Sequence, residues 1–222
     1  ARLVNEVQPK VFVAENVKGL TVGKAKAVLD EILKTFQDYG YSVVYDVLNA
    51  ENYGVPQARE RCIFVGVRKD LVKKYKVRPS LPVPSFKKIT TEEAIGDLID
   101  HPVDPAFNHV PTVHREDMAK RIMETPEGQS LYKGYSDAWK KCPWDAPSCT
   151  IKENHGGVNI HPKLPRVLTA REMARLQSFP DDFIFEGPKN KQLVQIGNAV
   201  PPLLGKAIGL AVRYSNGDLK TK

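Results

Sequence analysis

The stretch Val11-Phe-Val-Ala-Glu-Asn-Val17 decides the fold class, because four apolar residues in a row are followed directly by two polar ones. A short apolar run of this kind is typical of a buried parallel strand that ends at the polar residues. Apolar residues at helical spacing then run from about Lys24 to Asp38, and Tyr39-Gly40 ends that helix. A strand followed by a helix predicts an α/β fold.

Two further segments predict strands of the same sheet. Tyr41 to Leu48 is rich in Val and Tyr, and Cys62-Ile-Phe-Val-Gly-Val67 is apolar throughout. A polar loop, residues 49–61, connects them. The composition then shifts, since residues 68–88 contain eight basic residues, one acid and three prolines. This shift predicts a linker that leaves the sheet.

The rest of the chain reads as an irregular domain followed by helices. Residues 90–165 show little periodicity and hold both tryptophans, which predicts a small irregular domain. Thr169-Ala-Arg-Glu172 matches a capping box and predicts a helix through Leu176. Gly197-Asn-Ala-Val-Pro-Pro202 predicts a turn that opens a final helix over about residues 203–214, because prolines are tolerated in a helix's first turn.

Composition and net charge limit the classes of protein to which this chain can belong. Hydrophobic residues make up 41% and charged residues 27%, which excludes wholesale disorder. Lys and Arg total 33 against 26 acids, and a net charge of +7 favours a polyanionic partner such as nucleic acid. Many basic proteins nevertheless bind nothing anionic.

No segment predicts a membrane or export role. No apolar run approaches the roughly 18–20 residues of a membrane span, and no signal-peptide stretch is present. Since the sequence begins with Ala1 instead of Met, we expect the opening of the natural protein to be missing. Three cysteines are too few for a disulfide framework and lack metal-ligand spacing, so a cytoplasmic location is expected.

Four clusters, taken together and in this order, resemble the DNA cytosine carbon-5 methyltransferases. They are Glu15-Asn-Val17, Gln57-Ala-Arg-Glu-Arg61, Arg171-Glu-Met-Ala-Arg-Leu-Gln-Ser-Phe-Pro180 and Gly197-Asn-Ala-Val-Pro201. A fifth, Pro147-Ser-Cys-Thr-Ile-Lys-Glu-Asn-His-Gly-Gly157, resembles the end of that family's target recognition domain. Each cluster alone is weak, but a chance match of all of them in order is remote.

The resemblance implies a fold and a division into domains. It implies the C-terminal part of a Rossmann-like, S-adenosylmethionine-dependent methyltransferase sheet plus a small irregular target recognition domain. Residues 1–84 would form the second half of the catalytic α/β domain, residues 85–165 the DNA-binding recognition domain, and residues 166–222 helices that return to the catalytic domain.

Two signatures of the family are absent from the sequence. One is a glycine-rich Phe-x-Gly-x-Gly turn that holds S-adenosylmethionine, and the other is a Pro-Cys dipeptide whose thiolate attacks the base. Cys142-Pro143 has the reverse order, and neither Cys62 nor Cys149 is expected to be the nucleophile. We therefore expect an N-terminal half or complementary subunit, and an inactive chain without it.

The resemblance assigns catalytic and cofactor roles to five residues. Glu15 matches the glutamate beside ring nitrogen 3 of cytosine, and Arg61 matches the arginine that contacts the cytosine carbonyl oxygen. Arg59 matches an arginine near the DNA backbone and the catalytic loop. Asn198 and Ala199 match contacts to the methionine part of S-adenosylmethionine. The alternatives are a solvated loop acid for Glu15 and a surface arginine for Arg59.

The remaining candidate residues concern double-stranded DNA, from which a target base must be flipped to be reached. Thr150, Gly156 and Gly157 match positions at the DNA backbone near the flipped nucleotide. Lys152 and His155 are candidate contacts to base or phosphate, with a plain loop histidine as the alternative for His155, and Arg166 is a candidate contact to phosphate. A glycine-rich surface loop is the alternative for the two glycines.

Three interpretations remain open. The chain is part of a methyltransferase, or it is a DNA-binding module derived from one that never methylates, or it is a generic basic α/β protein. A neighbouring gene with Phe-x-Gly-x-Gly and Pro-Cys would favour the first over the second. The third requires four coincidental motifs.

Overall fold

The computed structural model describes residues 1–85, 87–134, 139–152 and 158–215. By its internal contacts the chain divides into two compact units, which are described separately. The first unit contains residues 1–49 and 60–84 and the described residues from 205 onward, and the second contains residues 50–59 and 85–204. The catalytic and recognition labels given to parts of the chain stay predictions.

The first unit is built on a three-stranded sheet. Its elements are α1 (Arg2–Val7), β1 (Val11–Val17), α2 (Ala25–Asp38), β2 (Tyr41–Asn49), β3 (Glu60–Arg68) and α3 (Lys69–Tyr75). The predicted helix and the two strands after it are confirmed, with ends shifted by one or two residues. Left-handed backbone at Gly40 (φ 87°) lies between α2 and β2, as a helix-ending glycine requires.

The strands of this sheet pair antiparallel, in the order β1-β3-β2. The prediction of a buried parallel strand at the start of the chain is therefore wrong. β1 lies at the sheet edge, and its Val13 and Val17 are exposed. A short apolar run does not encode strand direction, which explains the error. β1 also continues through Glu15 and Asn16, which the sequence places after its end.

The core of the first unit brings together side chains from the sheet and α2. Its buried members are Phe12, Leu29, Phe36, Tyr41, Cys62 and Phe64. The Phe12 ring centroid lies 4.5 Å from that of Phe36 and 5.2 Å from that of Tyr41. A Cβ at Gly66 would come within 2.1 Å of the Phe12 ring, so the close approach requires glycine.

The basic segment after β3 is only partly a linker. Its first residues form α3, whose Leu71 packs with Val67 and Val77 in a small apolar cluster. The prediction of a linker is wrong for this helix. The prediction rested on the high charge and the three prolines of the segment, and it overlooked the packing of Leu71 with Val67 and Val77. After α3, no helix or strand forms in residues 76–85, in agreement with the prediction.

The second unit is mostly irregular, and the prediction of little regular structure in residues 90–165 is confirmed for the described part of that range. Its helices are α4 (Thr91–Ile95), α5 (Glu116–Glu124), α6 (Ala170–Leu176), α7 (Lys189–Asn198) and the start of α8 (Pro202–Ser215), which continues into the first unit. Among its described residues, β structure is limited to isolated bridges. None of the helices that the described residues form is long and apolar enough to cross a membrane.

The helix α6 lies in the core of this unit. The predicted capping box is confirmed, since Thr169 Oγ1 accepts from the Glu172 amide (3.1 Å) and Glu172 Oε2 accepts from the Thr169 amide (2.8 Å). Leu193 and Ile196 of α7 belong to the same apolar cluster as α6. The apolar pattern does not predict α7, because few of its residues are apolar. Gly197 and Asn198 therefore lie in a helix, so the predicted turn is wrong for these two residues. Residues 199–201 are not helical, and the final helix that the turn was predicted to open is confirmed as α8.

Candidate functional site

Glu15 and Arg61, two of the predicted catalytic residues, form an ion pair on one face of the sheet. Arg61 Nε donates to Glu15 Oε1 at 2.8 Å, and Arg61 Nη1 donates to the carbonyl of Glu60 at 2.8 Å. Glu15 pairs with Ile63, and Arg61 lies two residues before Ile63 on β3. The two side chains are therefore diagonal neighbours on one face, a contact that exists because the strands are antiparallel.

This ion pair is partly sheltered from water. The exposed fraction of the side chain is 16% for Arg61 and 34% for Glu15. Burial lowers the pKa of Arg61, although the Glu15 carboxylate opposes the shift, and the guanidinium stays charged. The pair places a carboxyl group beside a fork of donors. A carboxyl that carries a proton can donate to the ring nitrogen of a heterocyclic base while the guanidinium donates to the carbonyl of the same base, so this chemistry fits the predicted roles.

Arg59, the third predicted catalytic residue, belongs to the second unit and is buried, with an exposed fraction of 3%. Its Nη1 donates to the carbonyl of Ile151 and its Nη2 to that of Gly197, both at 2.8 Å. The alternative of a surface arginine is therefore wrong. Because both Nη groups are engaged by backbone carbonyls, the geometry favours a positioning role over the predicted contact near the DNA backbone.

Gln57 and Gln177, to which the motifs assign no role, extend this buried network. Gln57 Nε2 donates to Gln177 Oε1 at 2.9 Å, and Gln57 Oε1 accepts from the Ile151 amide at 2.8 Å. Gln177 Nε2 donates to the carbonyl of Ile196 at 2.6 Å. Satisfied buried amides fix the segments that they join. Their position inside two motifs is the sequence signal that points to them.

Thr150 and Lys152, two predicted DNA contacts, line a cavity of about 400 Å³ in the second unit. Thr150 Oγ1 donates to the carbonyl of Ala58 at 2.7 Å. His155, Gly156 and Gly157 lie outside the described residues. The other lining residues are Ala58, Gly128, Lys140, Pro143, Pro147, Ser148, Cys149 and Asn159. Lysines and hydroxyls in one wall suit contacts to phosphate oxygens.

Asn198 and Ala199, the predicted cofactor contacts, lie where α7 meets α8. Asn198 is exposed at the end of α7, and the Ala199 carbonyl accepts from Gln177 Nε2 at 3.5 Å. Gly197, one residue earlier, is held by Arg59. An exposed side-chain amide offers a donor and an acceptor, which fits the amino and carboxylate groups of a methionine moiety. The contact itself stays a prediction.

Arg166, a predicted DNA contact, is buried and forms a bidentate ion pair with Glu172 at 2.7 and 2.8 Å. Burial raises the pKa of Glu172, but Arg166, His161 and the Thr169 amide together lower it below its usual value, so the carboxylate stays charged. His161 lies 3.8 Å from the same carboxylate, and burial lowers its pKa to about 4. The geometry thus favours a structural role for Arg166, and its contact with DNA stays a prediction.

Two of the three cysteines, all of which lie within the described residues, lack the surroundings of an activated nucleophile. Cys62 and Cys142 are fully buried, and burial raises the pKa of Cys62. A hydrogen bond to the Cys149 thiol, together with burial, raises the pKa of Cys142. Cys149 Sγ donates to the Lys141 carbonyl at 3.8 Å. Catalytic thiols require a lowered pKa, so neither Cys62 nor Cys142 is supported as the nucleophile of methyl transfer.

Comparisons with known proteins agree with the motifs. The family model described as C-5 cytosine-specific DNA methylase matches residues 1–213. Type II methyltransferase M.PspPI of Psychrobacter is 36% identical over 236 residues, covering 96% of this chain and 56% of the relative. Type II methyltransferase M.XorII of Xanthomonas oryzae is 34% identical over 264 residues, covering 94% and 59%. The chain thus spans less than two thirds of these curated relatives.

Solved structures show the same fold. A prophage-encoded protein of E. coli, described as a DNA modification methyltransferase, superposes with a TM-score of 0.76 at 24% identity and covers 96% of this chain and 71% of its own. The Dnmt2 methyltransferase of S. pombe gives a TM-score of 0.59 at 17% identity and covers 94% and 68%. At these identities the likeness concerns the fold alone.

Proposed function

This chain belongs to the C-5 cytosine-specific DNA methylase family, and we propose from that premise that it is the C-terminal part of a DNA cytosine carbon-5 methyltransferase. The observation that carries the proposal is the 2.8 Å ion pair between Glu15 and Arg61, on one face of the sheet. The cofactor turn and the Pro-Cys nucleophile come from residues outside this sequence, in a preceding segment or a separate subunit.

The proposed chemistry uses this ion pair to balance charge on the target base. Cytosine carbon 5 becomes a nucleophile when a thiolate adds at carbon 6, which places negative charge in the ring. Glu15 hydrogen-bonds ring nitrogen 3 and holds a proton there that offsets the charge. Arg61 donates to the cytosine carbonyl oxygen and holds the base. S-adenosylmethionine supplies the methyl group when bound, and Asn198 and Ala199 contact its methionine part.

The second unit supplies contacts to DNA in this proposal. The cavity wall at Thr150 and Lys152 faces the backbone near the flipped nucleotide. Gly156 and Gly157, which lie outside the described residues, stay predicted contacts to the same backbone. Arg59 acts through other groups, because it holds the carbonyl of Ile151 next to Thr150. Gln57 secures the amide of the same Ile151. Two buried side chains therefore position the DNA-contacting segment instead of touching substrate.

Exposed apolar side chains in the first unit support a covering segment. Large apolar residues with at least 40% of their surface exposed are Leu3, Val7, Val13, Val17, Val22, Val28, Tyr75, Val83 and Leu210. Soluble domains usually cover such groups when they cluster. This observation favours an additional half that packs on the first unit.

The second candidate function is a DNA-binding module that never methylates. It is favoured by the absence of Phe-x-Gly-x-Gly and Pro-Cys from this sequence and by the raised pKa of the Cys62 and Cys142 thiols. Methyl transfer after complementation separates the two candidates.

We expect the 222-residue chain alone to transfer no methyl group to DNA, because its sequence has neither the cofactor turn nor the nucleophile motif. Adding a segment with both motifs, in trans or by fusion, should restore transfer. The measurement is incorporation of tritiated methyl groups into DNA of mixed sequence. Turnover by the single chain would contradict the proposal that the cofactor turn and the nucleophile lie outside this sequence. A complemented enzyme without turnover would favour the DNA-binding module.

We expect the chain alone to bind duplex DNA weakly, with an affinity that falls steeply with salt because phosphate contacts release counterions. Lys152→Gln should weaken binding for all sequences and reduce the salt slope by about 1, as the loss of one phosphate contact does. Lys34→Gln, an exposed lysine of α2, is the control and should change neither value. Fluorescence anisotropy measures both, and equal slopes for the two variants would argue against the cavity contact.

A further inference from the structure

Cys142 and Cys149 lie side by side in the second unit. Cys149 Sγ is 3.8 Å from the carbonyl oxygen of Lys141, whose peptide group leads directly into Cys142. The pKa of the Cys142 thiol is raised chiefly by the neighbouring Cys149 thiol. Both residues pack in the same apolar cluster. Two cysteine side chains that pack together in one cluster meet the first requirement of a disulfide, which is proximity.

The two thiols differ in their access to solvent. Cys142 is fully buried, whereas Cys149 is partly exposed and lines the cavity of about 400 Å³. A small oxidant therefore reaches Cys149 first. Cys62 is fully buried in the first unit and has no such access. Cys149 is thus the accessible thiol, and Cys142 is the neighbour that can react with it. Cys62 serves as an internal control for general oxidation.

Backbone hydrogen bonds fix both cysteines in place. The Cys142 amide donates to the carbonyl of Ile160 at 3.1 Å. Ser148, directly before Cys149, donates its amide to the carbonyl of Pro56 at 3.0 Å. Since both segments are anchored, the two cysteines stay adjacent in the folded chain.

We propose that Cys142 and Cys149 are a redox pair that hydrogen peroxide converts into an intramolecular disulfide. The Cys149 thiolate attacks one peroxide oxygen, so that the O–O bond breaks, hydroxide leaves and Cys149 becomes a sulfenic acid. The Cys142 sulfur then attacks the Cys149 sulfur, and the S–OH oxygen leaves as water. The two thiols lose two hydrogen atoms in total, and one peroxide is reduced to two waters. This chemistry does not depend on methyl transfer.

The test treats the folded chain with limiting hydrogen peroxide under native conditions. We expect the free thiols to fall from three to one. The intact mass should fall by about 2 Da, the loss of two hydrogens. Peptide mapping without reduction should join the peptides of Cys142 and Cys149, and dithiothreitol should restore all three thiols. Disulfide-linked dimers, or three thiols that survive peroxide, would overturn the proposal.

Two variants separate the pair from general oxidation. Cys142→Ser should leave the Cys149 sulfenic acid without its partner, so that dimedone labels Cys149 strongly in this variant and weakly in the wild type. Cys62→Ser should form the disulfide at the wild-type rate. Equal dimedone labelling of Cys149 in the wild type and in Cys142→Ser would contradict the role of Cys142, as would loss of the Cys62 thiol at the same rate as that of Cys149.

Discussion

Glu15→Gln is expected to lower the single-turnover rate of methyl transfer by about 10²–10⁴-fold in the complemented enzyme, the range of a positioned acid–base group. Glutamine keeps the length of the side chain but cannot hold the proton at ring nitrogen 3. The melting temperature should stay near the wild-type value, because glutamine fills the same space and its amide oxygen can still accept a hydrogen bond from Arg61. Rapid-quench kinetics and melting curves measure the two quantities.

Glu60→Gln is a matched control for this variant. Glu60 begins β3, has a side chain that is 45% exposed, and forms an ion pair with Lys18 at 2.9 Å. Its loss removes a carboxylate of similar exposure from the same sheet, so we expect a near wild-type rate. Two results would contradict the role of Glu15: a near wild-type rate for Glu15→Gln, or a large fall in its melting temperature, which would indicate a structural residue.

Local patterns predicted much of the fold, and contacts between segments far apart in sequence explain the errors. The helix α2, the strands β2 and β3, and the capping box at Thr169 follow from periodicity and from side chains within three residues. The antiparallel pairing of β1 depends on β3, about 50 residues later in the chain. The helix α7 is stabilised by packing of Leu193 and Ile196 against the cluster around α6. Neither feature can be read from its own segment.

In the candidate site, too, the sequence predicted some features, whereas others depend on contacts between distant residues. The motifs indicated Glu15 and Arg61, and the structure places them in contact. The motifs also grouped Arg59 with them, yet its partners Ile151 and Gly197 lie 92 and 138 residues away in sequence. A motif gives the identity of a residue. It does not show whether the side chain contacts substrate or hydrogen-bonds to the backbone of its own chain. Burial decides that question, and burial depends on the complete fold.

Arg59→Ala is expected to lower the free energy of unfolding of the second unit by about 2–6 kcal/mol, because each of two buried carbonyls left without a partner costs about 1–3 kcal/mol. Arg59→Lys should recover part of this loss, since an ammonium keeps the charge but lacks the planar fork that reaches both carbonyls. DNA affinity should also fall for Arg59→Ala. Arg59 holds Ile151, and Ile151 directly follows Thr150, which lines the cavity.

Arg61→Ala is the matched control, and the two arginines should give opposite results. Both tryptophans, Trp139 and Trp144, belong to the second unit, so the denaturant dependence of tryptophan fluorescence reports its unfolding. Arg59→Ala should shift this transition to lower denaturant. Arg61→Ala should leave it unchanged, while lowering methyl transfer and weakening capture of the flipped cytosine in the complemented enzyme. A wild-type transition for Arg59→Ala together with a loss of activity would restore the predicted catalytic role of Arg59 and contradict the positioning role.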